Sequence, residues 1–238
     1  MADTIREQII TAITAAMSAI RTANGYASEC GQAVFRARTA VDPESAPFCN
    51  VFPQREEAEG DQYDQTKHTM AVKIEAAATF AGDTAGQTAE ALLGDVIECA
   101  CGEVFTLGYD TGASRISVGD TVTGATSGAT AYAAGVTLAS GSWAGGDAAG
   151  TLSLRRLSGV FQDGELLKVG ITSCAKVDGE VSRTSPESRV TDDLAERIRY
   201  TGGGQTEFTH LDARLCGVQA DFDITYYTRA GNPYASGE

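Results

Sequence analysis

Residues 119–146 read GDTVTGATSGATAYAAGVTLASGSWAGG, and this stretch decides how the chain is divided. Short pieces of strand character, Thr121-Val122-Thr123, Ala131-Tyr132-Ala133 and Val136-Thr137-Leu138, alternate with glycine turns at Gly119, Gly124, Gly141 and Gly145-Gly146. The same style runs from Gly108 to Gly170. Ile116-Ser117-Val118 precedes the stretch; Thr151-Leu152-Ser153-Leu154, Gly159-Val160-Phe161 and an Asp163-Gly164 hairpin turn follow it. Several short strands at this spacing predict a small barrel or sandwich. The glycines read as turn glycines: a phosphate-cradling loop needs a lysine and a helix after them, and neither follows. Val118-Gly119-Asp120-Thr121-Val122 is weakly echoed by Gln162-Asp163-Gly164-Glu165-Leu166, which is too little to define a repeat.

Outward from this stretch the style changes on both sides. Upstream, Ala89, Leu92, Leu93, Val96 and Ile97 give a helix over about Thr84 to Cys101, ended by Gly102. At the start, Ile5, Ile9, Ile10, Ile13, Met17 and Ile20 form one apolar stripe. Thr4 and Glu7 match a capping box, and Asn24-Gly25 ends a helix expected over 4–23. Between the helices, Ala33 to Arg38, Phe48 to Phe52 and His68 to Phe80 read as strands. Arg55 to Gln65, with Glu56, Glu57, Glu59, Asp61 and Asp64, reads as a solvated acidic loop. Downstream, Thr191 or Asp192 is expected to cap a helix carrying Leu194 and Ile198. Gly202-Gly203-Gly204 reads as a flexible break. Val218 to Tyr226 then alternates in period two and is the cleanest strand in the chain.

The flanks belong together. The expected fold is α+β: a mixed, mostly antiparallel sheet with helices packed on one face, interrupted by a small all-β inserted domain. The body takes residues 1–103 plus 179–238, and the insert 104–178.

The formal charge of −14, from 32 acidic and 18 basic residues, excludes a basic nucleic-acid footprint. With 42% hydrophobic and 21% charged residues, the chain is globular. No apolar run is long enough to span a membrane. The opening MADTIREQII lacks a basic region before an apolar core, so no signal peptide is expected. The six cysteines are expected as free thiols. Cys99-Ala-Cys101 has the wrong spacing for a zinc knuckle, and neither His68 nor His210 lies near a cysteine, so no metal site is expected. No catalytic grouping emerges: nothing in the sequence joins either histidine to a serine, and pairs such as Glu56-Glu57 and Asp192-Asp193 read as solvated or capping acids. Catalytic, cofactor and metal residues are therefore assigned to none. The single tryptophan, Trp143, is a candidate surface- or carbohydrate-binding residue of the insert, weighed against a role in turn packing.

Four passages outside the insert carry a family resemblance: MADTIREQIITAITAAMSAI with the following NGY; Phe48 to Phe80; TAEALLGDVIEC; and DDLAERIRYTGGGQTEF with GVQADFDITYYTRAGNPYA. Together they resemble the lambda-type tail terminator proteins of long-tailed bacteriophages. The resemblance implies a non-enzymatic virion protein, a ring usually of six copies that ends tube growth. Its implied partners are further copies of itself, the tail tube protein and a head-completion or connector protein. DNA would pass through the ring without specific binding, no membrane would be involved, and assembly would take place in the bacterial host cytoplasm. The acidic residues Glu56, Glu57, Glu59, Asp61 and Asp64 are then candidates for the lumen or a subunit contact. A tube or other neck protein of the same fold is the nearest alternative; a surface-binding module carried by the insert is another.

Overall fold

The computed structural model describes residues 3–60, 64–206 and 214–237. In chain order the elements are α1 (Ile5–Met17), β1 (Ala33–Arg36), β2 (Phe48–Gly60), β3 (Gln65–Thr79), α2 (Ala85–Cys101), β4 (Val104–Gly112), β5 (Thr121–Gly124), β6 (Thr130–Ser140), β7 (Ala148–Ser158), β8 (Leu166–Val169), β9 (Thr172–Thr184), α3 (Pro186–Thr191), β10 (Arg197–Thr206), β11 (Leu215–Arg229) and β12 (Asn232–Ser236). Strands take 51% of the chain and helical turns 20%, which overturns the expected α+β class: the protein is mostly β.

The excess of strand comes from segments whose composition reads otherwise. The acidic run from Arg55 is the outer half of the β2–β3 hairpin, with Glu56 opposite Met70, Glu57 opposite Thr69 and Glu59 opposite Lys67. The helix expected after Thr191 is absent. Asp192 and Asp193 both adopt left-handed φ, at 52° and 60°, and so end the short α3 where they were expected to begin a helix. Arg197, Ile198 and Arg199 then alternate exposed, buried, exposed as strand. The Gly202-Gly203-Gly204 break is a continuation of β10 past a bulge at Tyr200/Gly202. A Cβ on Gly203 would stand 2.2 Å from the Gln219 carbonyl oxygen, so glycine is needed there for close backbone approach. The N-terminal helix stops at Met17, sooner than its apolar stripe suggests; Ile20 stays buried in the turn that follows.

The chain forms two compact units. The body holds Met1–Thr22, Tyr26–Gly102 and Pro186–Glu238. Its sheet runs β1-β2-β3-β11-β10, with β12 paired to β11. Among the described residues, the β1–β2 pair alone in this sheet is parallel. Met70, Val72, Ile74 and Ala76 of β3 and Val218, Ala220, Phe222 and Ile224 of β11 share one face, and pack with α1 and α2 in one core. The alternate residues, among them Thr69, Lys73, Glu75, Asp221 and Asp223, face away from it.

The second unit, Ala23–Gly25 with Glu103–Ser185, is built on a closed barrel in the order β4-β7-β6-β5-β8-β9. Leu107, Tyr109, Ile116, Leu152, Leu154 and Leu167 are among its filling residues. The barrel closes between its first and last strands, with Val104 opposite Thr184. Asp178 thus lies inside β9. The strands that enter and leave the insert are neighbours. In the body, the segments flanking the insert also meet: the Arg189 guanidinium of α3 donates to the Cys99 and Gly102 carbonyls at 2.6 and 3.1 Å, capping the end of α2. An insert whose two ends leave adjacent points of the host can be accommodated without opening the host core.

Candidate functional site

The richest grouping of ionisable side chains sits at one end of the body's core. The bulge between Pro53 and Glu56 in β2 restores Glu56 to the core-facing side of the sheet. The even-numbered face of β3 and β11 continues past Met70 and Ile224 to His68, Tyr226 and Thr228, and α1 brings Arg6. Glu56 accepts hydrogen bonds from Arg6 Nε at 3.1 Å and Tyr226 Oη at 2.7 Å through one carboxylate oxygen. Its other oxygen lies 3.0 Å from His68 Nδ1, and His68 Nε2 lies 2.9 Å from Thr228 Oγ1. The His68 and Tyr226 rings stack at 4.7 Å. Burial and the adjoining Glu56 carboxylate push the Tyr226 hydroxyl far above its ordinary value, so it remains a donor.

Carboxylate, imidazole and hydroxyl stand here in the order of a nucleophilic triad. The surroundings oppose that use. Thr228 is only 4% exposed and does not present its hydroxyl to a substrate, and Glu56 is already engaged by Arg6 and Tyr226. The cluster acts as a polar seal. It lets strands run past the end of the apolar core without leaving a buried donor or acceptor bare. Glu56→Ala would strip the acceptor from Tyr226, His68 and Arg6. The Glu56 side chain is 23% exposed, so water can replace part of what is lost. The expected cost is about 2 kcal/mol, read as an earlier urea transition in far-UV circular dichroism.

The other candidates from the sequence are scattered. Glu57 and Glu59 are exposed on β2, facing away from the core with Lys67 and Lys73. Asp64 is exposed at φ 60°, and its carbonyl accepts from Ala230 N. Asp61 and His210 lie outside the described residues. Trp143 packs flat on Tyr109, centroids 5.1 Å apart, over the barrel core, so one face of its ring is taken by packing. No family model matches the chain, and no curated protein matches it. Among the described residues, no group of three or more His, Cys, Asp or Glu is placed to hold a metal ion, and no helix is long and apolar enough to cross a membrane. The body's open cleft of about 450 Å³ is bordered by Glu29 together with Ser28, Thr79, Thr84, Gln87 and Thr88, a lining with no base or nucleophile activated by a neighbour.

Sequence reasoning missed the joining of Glu56 to His68. The signal that could have found it is hairpin register: pairing Gly60 with Thr66 sets Ala58 opposite His68 and Glu56 one diagonal step away.

Proposed function

We propose that the chain is a structural virion protein: a tail terminator that closes into a ring on a bacteriophage tail tube and offers a docking surface to the head-completion or connector protein. The observation that carries this reading is the body's sheet, which ends in two unlike edges. At one end is the four-residue β1, parallel to β2; at the other is the ten-residue β10, antiparallel to β11. Near its start β10 is covered, since Ile198 N donates to Glu187 of α3 at 3.0 Å. From Gly202 to Thr206 it pairs, among the described residues, only with β11. An open edge is a template for a further strand. Two different edges on one subunit suit a head-to-tail contact, which closes into a ring when the rotation per copy allows.

The sheet face turned away from the helices supports contact with protein. It carries Glu57, Glu59, Glu75, Asp221 and Asp223 interspersed with Lys67, Lys73, Arg197 and Arg199, and Arg199 binds Asp223 at 2.8 Å. This mixture fits a charge-complementary partner better than a wall that only repels phosphate. The net charge of −14 is in keeping with DNA passing without being held.

Purified protein is expected to show single closed rings in negative stain, six copies in each, with a mass by light scattering that is a whole multiple of 24.8 kDa. Protein that stays monomeric at every concentration and forms no rings on tail tubes would sink the proposal. Long tubes would move the assignment to a tube subunit.

A further inference from the structure

Three thiols, Cys30, Cys49 and Cys99, lie in the body's core, each with no exposed surface. Cys99 Sγ is directed to the Ala16 carbonyl at 3.3 Å. Cys30 and Cys49 face each other, with their sulfurs 3.2 Å apart.

Both partners of that pair sit on fixed backbone. Cys49 lies in β2 between two neighbours, in register with Val34 of β1 and Ala76 of β3. Cys30 opens the short 3₁₀ turn Cys30–Gln32. That turn is pressed under the end of α1: Gly31 N donates to the Ile20 carbonyl at 3.0 Å, and a Cβ on Gly31 would stand 2.4 Å from the Met17 carbonyl oxygen. Just before it, Ala27 and Ser28 are tied to Asp95. The sulfurs must approach by only about 1 Å to reach bonding distance, a shift that small side-chain rotations supply.

We propose that Cys30 and Cys49 are a latent disulfide site, an oxidative modification that ties the turn after α1 to the second strand of the sheet. A peroxide is the simplest oxidant by class. One thiolate attacks a peroxide oxygen; the S–O bond forms, the O–O bond breaks, and hydroxide leaves to be protonated to water. The second thiol then gives up its proton and attacks the sulfenic sulfur. The S–S bond forms, the S–O bond breaks, and a second water leaves. Two thiols lose two electrons in all, and one peroxide gains them. The Cys30 contact and burial hold the Cys49 thiol well above its ordinary range, so the first step waits on local opening and is slow. The same burial then slows reduction of the finished bond, so that its reversal needs a strong reductant. The inference concerns the body's chemistry alone and stands apart from the ring assignment.

The test uses the full chain treated with hydrogen peroxide and followed by intact mass and non-reducing peptide mapping. The expected result is a loss of about 2 Da and a linked Cys30–Cys49 peptide. The midpoint of thermal unfolding should rise by roughly 5–10 °C and fall back on reduction. Cys49→Ser and Cys30→Ala should each abolish the linked peptide and the rise, while Cys99→Ser keeps both. The mass and mapping readouts hold even if one variant folds poorly, since the wild-type linkage is assigned directly. All six thiols still alkylatable after treatment in mild urea, sulfinic acid in place of the cross-link, or linkages shared equally with Cys99 would overturn the proposal.

Discussion

Replacing Glu165 with glutamine is expected to lower the stability of the barrel by about 3 kcal/mol. Glu165 is 6% exposed. One carboxylate oxygen accepts from Thr126 N and Ser127 N, both at 2.9 Å. The other accepts from Ser127 Oγ and Gln162 N, both at 2.7 Å. Two loops, one before β6 and one before β8, are thus held by a single side chain. Glutamine keeps the shape and turns one acceptor into a donor, which then faces at least one backbone N–H that has nowhere else to go. Leaving such groups unsatisfied costs more than a hydrogen bond contributes. The readout is specific. Trp143 is the only tryptophan and packs on the barrel core, so its fluorescence follows this unit. With a slope of about 1 kcal/mol per molar urea, the midpoint should fall by roughly 2–3 M.

The same residue fixes a pH dependence. Burial alone would raise the Glu165 carboxyl; the hydrogen bonds from Gln162, Ser127 and Thr126 outweigh it and hold the group below its ordinary value. A carboxylate depressed in the folded state contributes stability that is fully present above its unfolded value, about 4.3, and is lost as pH falls through the folded one. The gap between wild type and Glu165→Gln should be full at neutral pH and narrow below about pH 4. A gap that stayed constant down to pH 3 would show that the carboxylate's charge contributes nothing.

Glu165 also gives a physical meaning to the short echo in the sequence. Asp120 Oδ2 accepts from Ser117 N, and Glu165 Oε1 accepts from Gln162 N, each three residues back and each across a glycine with left-handed φ. Both turns feed strands, β5 and β8, that pair with each other. The echo marks one turn design used twice at adjacent points of the barrel.

Local rules were legible where one residue's chemistry suffices. Thr4 accepts from Glu7 N at 3.1 Å at the start of α1, the N-cap half of the expected capping box, while the Glu7 carboxylate is engaged by Arg36 and Thr11. β11 alternates buried and half-buried from Val218 to Tyr226 as its pattern states. What was not legible depended on partners far along the chain. The outer half of β2 is polar on both sides, so it shows no period-two signal, and only pairing with β3 makes it strand. β10 carries three glycines in a row, a composition that reads as a break, and β11 approaches the middle one, Gly203, closely. By their residue types Asn232-Pro233 and Gly237 read as a loose tail, but Asn232–Ser236 becomes β12 through a turn at Gly231 with φ 73°. The site failed for the same reason. Glu56 reads as one of several solvated acids, and the bulge that turns it inward is a property of the pair of strands.

Asp95→Ala is expected to cost the body about 3 kcal/mol, although it replaces a poor helix former with the best one. Asp95 lies within α2 and is 2% exposed. Its carboxylate accepts from Ala27 N at 3.1 Å and from Ser28 N at 2.7 Å, fixing the segment that leads to Cys30. Alanine leaves both donors without that acceptor, and although Ala27 is exposed and Ser28 half-buried, no other group among the described residues replaces the carboxylate buried at Asp95. The gain in helix propensity is about 0.5 kcal/mol, too small to offset two charge-assisted hydrogen bonds. Asp95→Asn separates the two effects. Its one amide oxygen can serve one of the two N–H groups, so its loss should be about half that of alanine. The described α-helices all belong to the body, so circular dichroism at 222 nm follows this unit while Trp143 fluorescence follows the barrel. The expected pattern is a large shift in the first signal and none in the second. Equal losses for alanine and asparagine would mean that the negative charge, and not the pair of hydrogen bonds, holds the segment. A shift in both signals would mean that the two units do not unfold independently.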